Sequence, residues 1–309
     1  MISVVIPSYN RKDCVLALLA DVFRQEGVEF EVIVVDDCSP DGSYEAIAER
    51  FPKVILLKNE KNGGPCVTRN RGVLAAKGDI VVGFDSDVTV PDTRLLEKTA
   101  KTFSQHPEAA GLSFRLLKPD GKSEDTERWW HPLPIESFAD AFFETPYFSG
   151  TGYAFRRKEM IQAGLYPEVL YMHYEEVILA YRVIDEGGAI FHTPALHVLH
   201  HAAPTQRRSR IKTFFKTRNQ IVLAYECLPF VRAVTYLAPR LAYNLASSIA
   251  GGYFTDYAGA IRSALEICGS GRSKRKPLRA ETLRRISMLS RTFPQSQKQQ
   301  SHPSPQPSL

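Results

Sequence analysis

The stretch Gly78-Asp79-Ile80-Val81-Val82-Gly83-Phe84-Asp85-Ser86-Asp87 constrains the fold more than any other part of the chain. It reads as a turn, a short apolar strand, and two carboxylates one residue apart where the strand runs out. An apolar run of this length between turn residues suits a central strand covered on both faces. Open α/β sheets bind ligands beyond the carboxyl ends of their strands, which puts Asp85 and Asp87 where a site is expected. A solvated turn rich in Asp and Ser would look the same locally. The remainder of the chain separates the two readings.

That remainder alternates between two periods. Residues 2–6 form a β-branched apolar run ended by Pro7, and Asp13 to Arg24 has helical spacing through Val15, Leu16, Leu18, Leu19 and Val22. Phe30 to Val35 predicts a second strand ending at Asp36-Asp37, Ser43 to Arg50 a helix, and Val54 to Leu57 a third strand. The turn Asn62-Gly63-Gly64-Pro65 precedes a helix expected over Val67 to Ala76, with Arg69 and Asn70 in its first turn. Leu95 to His106 reads as a helix, Ala110 to Leu117 as a strand, and Lys118 to Glu127 as a loop. Strands and helices alternating in this way predict an α/β fold with a mainly parallel central sheet and flanking helices.

The second half is more varied. Trp129-Trp130 is bulky enough for an acceptor wall or for a satellite hydrophobic cluster. Gly150-Thr151-Gly152 suits a bulged strand. Glu175-Glu176 open a helix that runs to Asp185, where acids also favour the positive helix end. Ala189 to Phe191 and Leu196 to Leu199 predict two short strands around Thr193-Pro194, finishing at His200-His201, a metal-ligand pair or a polar turn.

A chain of 309 residues can hold one α/β domain of about 200 to 250 residues and an appendage. Five scattered cysteines show neither a disulfide framework nor zinc spacing, which suits a reducing compartment. Met1 to Pro7 lacks the basic flank and apolar core of a signal peptide, so the expected location is the cytoplasm or the cytoplasmic face of the inner membrane. Basic residues cluster at Arg207 to Arg218 and Arg272 to Arg291, fitting an anionic surface or a solvated face. Between these clusters the chain is mostly apolar, but Leu241 to Thr255 is too short for a span. Basic-flanked amphipathic helices lying on a membrane, on the catalytic domain or on a second subunit of a homo-oligomer fit better. Pro294 to Leu309 is a Ser, Gln and Pro tail with little to bury. No nucleic-acid reading module accompanies the basic stretches, which disfavours that partner. The expected division is a catalytic domain over 1–205, with a nucleotide-binding half 1–110 and an acceptor-side half 111–205. A helical, membrane-associated extension over 206–270 and a partly disordered tail over 271–309 follow.

Asp36-Asp37, Asp85 with Asp87, Glu175-Glu176 and His200 all fall at element ends. Hard oxygen ligands suit Mg²⁺ or Mn²⁺, and an added imidazole tilts the choice toward Mn²⁺. There is no Gly-x-x-x-x-Gly-Lys loop, and no Gly-x-Gly-x-x-Gly after the first strand, which disfavours a kinase or nicotinamide enzyme.

Taken in order, several motifs identify a resemblance: Val4-Val5-Ile6-Pro7-Ser8-Tyr9-Asn10-Arg11, Val34-Val35-Asp36-Asp37-Cys38-Ser39, and Asn62-Gly63-Gly64-Pro65 through Arg69-Asn70-Arg71-Gly72. They continue with Phe84-Asp85-Ser86-Asp87, Ser149-Gly150-Thr151-Gly152, Tyr174-Glu175-Glu176 with Arg182, and Pro194 through His200. Over about residues 1–225 the chain resembles family 2 of the inverting, nucleotide-sugar-dependent glycosyltransferases of GT-A fold, particularly rhamnosyltransferase-like bacterial members.

The resemblance implies a role for each matching residue. Pro7 and Tyr9 wall the nucleotide pocket, Asp37 accepts from the base, Asp36 lies near ribose and base, and Arg69 steadies the nucleotide region. Asp85 and Asp87 form the DxD element; Asp87 is the direct metal ligand, and Asp85 faces ribose or metal-bound water. His200 completes the metal shell, with His201 its runner-up, and Gly150, Thr151 and Gly152 line the sugar and acceptor pocket. Glu176 stands where the family's catalytic Asp stands, with Glu175 the alternative base and Arg182 a candidate to orient the pair. Ile178 stands where an acidic residue is common. The implied reaction moves a sugar from a nucleotide diphosphate to a glycan or lipid-linked acceptor with inversion.

Two other readings stay open. A nucleotidyltransferase would need a basic triphosphate-gripping loop near the first strand, where Ser8-Tyr9-Asn10-Arg11 offers one basic residue before Lys12. A glycan-binding scaffold without turnover is kept open by Glu176 in place of Asp and by Ile178.

Overall fold

The computed structural model describes residues 1–201 and 209–290. The Ser, Gln and Pro tail and the first residues of the basic 207–218 cluster lie outside them. The chain begins β1 (Ile2–Ser8), α1 (Lys12–Val22), β2 (Phe30–Asp36), α2 (Ser43–Arg50), β3 (Ile55–Lys58), α3 (Gly64–Ala75) and β4 (Ile80–Phe84). It continues through β5 (Val88–Thr89), α4 (Leu95–Gln105), β6 (Ala109–Leu117), α5 (Ile135–Phe138), β7 (Phe143–Glu144), β8 (Gly152–Arg156) and α6 (Arg157–Gln162). The remaining elements are α7 (Glu175–Asp185), β9 (Ala189–His200), α8 (Ser209–Cys227), α9 (Phe230–Ala250), α10 (Phe254–Gly269) and α11 (Ala280–Leu289).

The sheet runs β3-β2-β1-β4-β8-β6-β9-β5, with β7 paired to β9. Its first four strands are parallel; β8 is antiparallel to β4 and β6, while β6 and β9 are parallel. This is a GT-A architecture, an α/β fold with a mixed, largely parallel sheet, flanking helices and a helical carboxyl-terminal region. The continuous apolar pattern of β1 has its physical counterpart here. Val4 and Ile6 face one core cluster and Val5 the other, all three with no exposure. Burial of each such side chain contributes roughly 1.5–3 kcal/mol, so the central strands are fixed from both faces.

The register decides where the polar strand ends emerge. Ser8 pairs with Asp36, and Val5 with Gly83 just before β4 runs out. Tyr9, Asp37 and Asp85 therefore leave the sheet at one carboxyl edge.

Two expected boundaries change. Helix α3 starts at Gly64 with Pro65 in its first turn, so Arg69 lies in the second turn rather than the first. Pro suits the first turn because its missing N–H is not needed there. The two short strands expected around Pro194 are one strand, β9. Its pairing with β6 jumps from Phe114↔Thr193 to Arg115↔His197, a bulge that absorbs the residue without a backbone donor.

The carboxyl-terminal helices pack against α7. Ile178 and Ile184 share a buried cluster with Val222, Leu223, Ile267 and Leu283. That gives Ile178 an apolar packing role. Outward, α9 exposes Phe230, Val231, Val234, Tyr243 and Ile249, and its only charged residues are Arg232 and Arg240. Among the described residues no helix is long and apolar enough to cross a membrane.

Candidate active site

A cleft of about 670 Å³ opens at the carboxyl edge of the sheet. Pro7, Tyr9, Asp37, Asp85, Asp87 and the pair Glu175-Glu176 all line it. Residues predicted from four separate motifs thus meet in one cavity.

The floor beside β1 and β2 is a backbone cradle. The Asp37 carboxylate accepts from Asn59 Nδ2 at 2.6 Å, Gly63 N at 2.9 Å and Gly64 N at 2.8 Å. These bonds hold the 62–65 turn and the start of α3 against β2. Gly64 has φ +83° and lies under the Tyr171 ring, where a Cβ would come within 2.4 Å of ring carbon. Only glycine meets both demands. Asp36 is fully buried behind this surface and receives Ser39 N at 3.0 Å, so it shapes the turn from within.

Beneath the cleft, Arg69 joins the two acidic motifs. Its Nη2 donates to Asp85 Oδ1 at 2.6 Å, and its Nη1 lies 3.8 Å from Glu175 Oε1. Its guanidinium also lies 5.4 Å from the centre of the Tyr166 ring. Thr151 Oγ1 donates to Asp85 Oδ2 at 3.1 Å. Gly150 passes so close that a Cβ would meet Arg69 Nη2 and Glu176 Oε1, each at 2.7 Å. Of the small-residue segment, Ser149 reaches the cleft wall. Thr151 supports Asp85 from behind, and Gly152 begins β8 against Val198, Leu116 and Phe114.

Glu175 is buried and Glu176 half-buried at the amino end of α7. Burial first, and then the Glu176 charge beside it, push the Glu175 carboxyl well above the ordinary carboxylate range, with Arg69 opposing. Arg69 spends its nearer nitrogen on Asp85, which is why it does not reverse this. Glu175 is therefore the carboxyl whose ionisation its surroundings oppose, leaving Glu176 as the more exposed of the two.

Arg182, a candidate to orient the pair, does not reach it. It pairs with Glu226 of α8, one and a half turns or more from the acids along α7. The residues that do shape the entry to α7 were not legible as such. Tyr171, His173 and Tyr174 all have positive φ, and Asn219 Nδ2 on α8 donates to the carbonyls of Met172 at 2.6 Å and His173 at 2.8 Å. Gln220 Nε2 donates to Tyr174 Oη at 2.7 Å. Helix α8 thus clamps the strained turn that delivers Glu175 and Glu176.

On the other side, Asp87 Oδ2 lies 2.6 Å from Arg11 Nη1 and 3.7 Å from His200 Nε2. Burial works against its charge, yet His200 and Arg11 outweigh it and hold Asp87 below the usual carboxylate range. His200 Nδ1 donates to Asp125 Oδ2 at 2.6 Å, while its Nε2 is buried without a hydrogen-bond partner. Burial alone would lower the imidazole pKa, but the Asp125 and Asp87 carboxylates push it up to about 9. His201 turns away to Thr89, 3.0 Å from Oγ1. Among the described residues no three His, Cys, Asp or Glu side chains converge as a complete cation cage. Asp87 and His200 are the two candidate ligands brought side by side here.

The two tryptophans part company. Trp129 joins the Leu133, Phe138 and Phe143 cluster and donates to Leu133 O. Trp130 lines the cleft, 46% exposed, between Tyr147 and Tyr174 with ring centres 6.0 Å away from each. The satellite-cluster reading holds for Trp129, while Trp130 is the member at the cleft.

The fold and this acidic cleft define the chain as a GT-A-type protein. It belongs to the Glycosyl transferase family 2, which it matches over residues 3–164. It is 38% identical over 107 residues to an uncharacterized glycosyltransferase of Haemophilus influenzae, covering 35% of this chain and 36% of that one. It is 33% identical over 123 residues to the succinoglycan biosynthesis protein ExoO of Rhizobium meliloti, covering 40% and 35%. The matched stretches span about a third of these relatives. In fold, it is similar to the mannosyltransferase PcManGT of Pyrobaculum calidifontis, solved with GDP-Man and Mn²⁺. The TM-score there is 0.56 and the identity 22%, over 94% of this chain and 84% of that one.

Proposed function

We propose that this chain is an inverting glycosyltransferase that moves a sugar from a nucleotide diphosphate to a hydroxyl of a glycan or lipid-linked acceptor. The observation that carries the reading is the convergence of Asp85 and Asp87 beyond β4 with Glu175 and Glu176 at the head of α7, joined through Arg69.

In this reading Pro7, Tyr9 and the cradle around Asp37 receive the nucleoside. Trp130 offers an exposed ring face for an acceptor sugar. Glu176 takes the proton of the acceptor hydroxyl as its oxygen bonds to the anomeric carbon. The bond from that carbon to the diphosphate oxygen breaks on the opposite face, and configuration inverts in one step. Holding both substrates in line is itself a large part of the rate.

A divalent cation fits the residues present. His200 presents an orphaned buried nitrogen and Asp87 a carboxylate oxygen at one point, and Mg²⁺ or Mn²⁺ sites often combine one or two protein ligands with substrate phosphates. When bound, such a cation would stabilise the charge of the leaving diphosphate. The exposed apolar and basic face of α9 supports peripheral contact with an anionic membrane at its cytoplasmic face, near a lipid-linked acceptor.

The test is a binding panel by calorimetry with Mn²⁺ present, comparing UDP-, GDP- and dTDP-sugars, dTDP-rhamnose among them. One donor class should bind with a preference of tenfold or more. Failure of all three to bind the folded protein would contradict the reading.

A further inference from the structure

We infer that Asp125 is a positioning residue for His200, fixing which ring nitrogen is presented beside Asp87 to a divalent cation. The inference rests on the metal-assisted reading of the cleft and goes beyond it. Asp125 lies in the polar segment after β6, 75 residues from His200 and outside every motif described above.

The backbone fixes each of the three partners. His200 pairs with Val88 across β5 and β9, and His201 N donates to Asp87 O at 2.8 Å, so Asp87 and His200 are neighbours by register. Asp125 arrives at the base of a hairpin that leaves β6 at Leu117 and returns to bridge it at Glu124. Asp120 accepts from Lys122 N and Ser123 N at the hairpin tip, Arg115 Nε holds Glu124 at 2.9 Å, and Asp125 N donates to Leu116 O at 3.0 Å. This hairpin delivers one carboxylate to one imidazole.

The chemistry follows from the ring. A cation at Nε2 takes the place of the proton that Asp87 favours there, so the one proton left on the ring must sit on Nδ1, and the hydrogen bond of that nitrogen decides the tautomer and the ring angle. Asp125 Oδ2 receives Nδ1–H at 2.6 Å, with Asp125 9% and His200 2% exposed. Nε2 is then the nitrogen that faces Asp87, and it is the one left without a partner. The two ring nitrogens diverge, so a carboxylate at Nδ1 cannot share a cation held at Nε2. Asp125 acts through His200 or not at all.

A purely structural link between the hairpin and β9 would show the same contact, and a double-mutant cycle separates the two roles. The probe is Mn²⁺ alone, followed by the loss of the free aquo-ion signal in electron paramagnetic resonance, on the full chain. Asp125→Ala should weaken Mn²⁺ binding by about 10–100-fold. Asp125→Asn, which keeps an acceptor but not the charge, should weaken it less, and this variant carries the test if the alanine variant does not fold. In a His200→Ala background the Asp125 substitution should change Mn²⁺ affinity by less than about twofold. An equal loss in both backgrounds, or Asp125 variants that bind Mn²⁺ like the wild type, would overturn the proposal while leaving the metal reading intact. A wild-type chain that takes up no Mn²⁺ would overturn both.

Discussion

Arg11 Nη1 sits 2.6 Å from Asp87 Oδ2, so the carboxylate expected to meet a divalent cation already holds a guanidinium. Arg11 leaves the turn after β1 and Asp87 precedes β5, which makes the pair a bridge across the mouth of the cleft. Both side chains keep some solvent contact, 28% and 11%. Such a pair is worth about 1 kcal/mol or less, small enough for a doubly charged ion to displace.

Arg11→Gln should therefore tighten Mn²⁺ binding. Removing a competitor worth up to about 1 kcal/mol corresponds to a gain of up to about fivefold. Titration of Mn²⁺ without nucleotide reads this directly. A weaker affinity would mean that Arg11 supports the site rather than occupies it.

Glu175→Gln should be mild where loss of a base would be severe. Burial and then the Glu176 charge favour the neutral form of the wild-type carboxyl, and glutamine copies that form. Turnover should fall by less than about tenfold, against the 10²–10⁴-fold typical for removing a general base. The pH dependence has a definite sign. A folded-state pKa raised above the unfolded value gives stability that is full below the unfolded pKa and is lost as pH rises through the folded one. As pH rises above the ordinary glutamate value of 4.5, melting temperatures should therefore decline less in Glu175→Gln than in the wild type.

Asn219→Ala should disturb the acids without touching them. Its amide donates to carbonyls of the turn in which Tyr171, His173 and Tyr174 adopt positive φ. Losing those hydrogen bonds costs about 0.5–1.5 kcal/mol each. Chemical denaturation should report that loss. Donor binding should change little, and turnover should fall tenfold or more as the entry to α7 relaxes.

How far the sequence reached follows from what kind of contact each feature needs. Parallel strands buried on both faces write themselves as apolar runs, so β1, β2 and β4, and the carboxylates at the ends of β2 and β4, were legible. Glu175-Glu176 was legible as a pair opening a helix, but not which of the two is buried, because burial depends on how the 171–174 turn is held. Arg182 reads as a neighbour of the acids, yet helix geometry turns it toward Glu226, a residue 44 positions away. Arg69 reads as part of the nucleotide region, and only the packing of α3 on β1 and β2 puts it under both acidic motifs. Asp125 and Asn219 act through contacts across 75 and 46 residues, which no local pattern records. Pro194 reads as a strand break because a ladder cannot use its nitrogen, but a bulge on a long strand meets that demand as well.

The most direct test of the central claim is Glu176→Gln, with donor binding and single-turnover donor cleavage measured on the same protein. The account predicts that cleavage falls by about 10²–10⁴-fold while donor affinity stays within about threefold of wild type. Cleavage at the wild-type rate, or a loss matched by an equal loss of donor affinity, would contradict Glu176 as the base and with it the reading of the cleft.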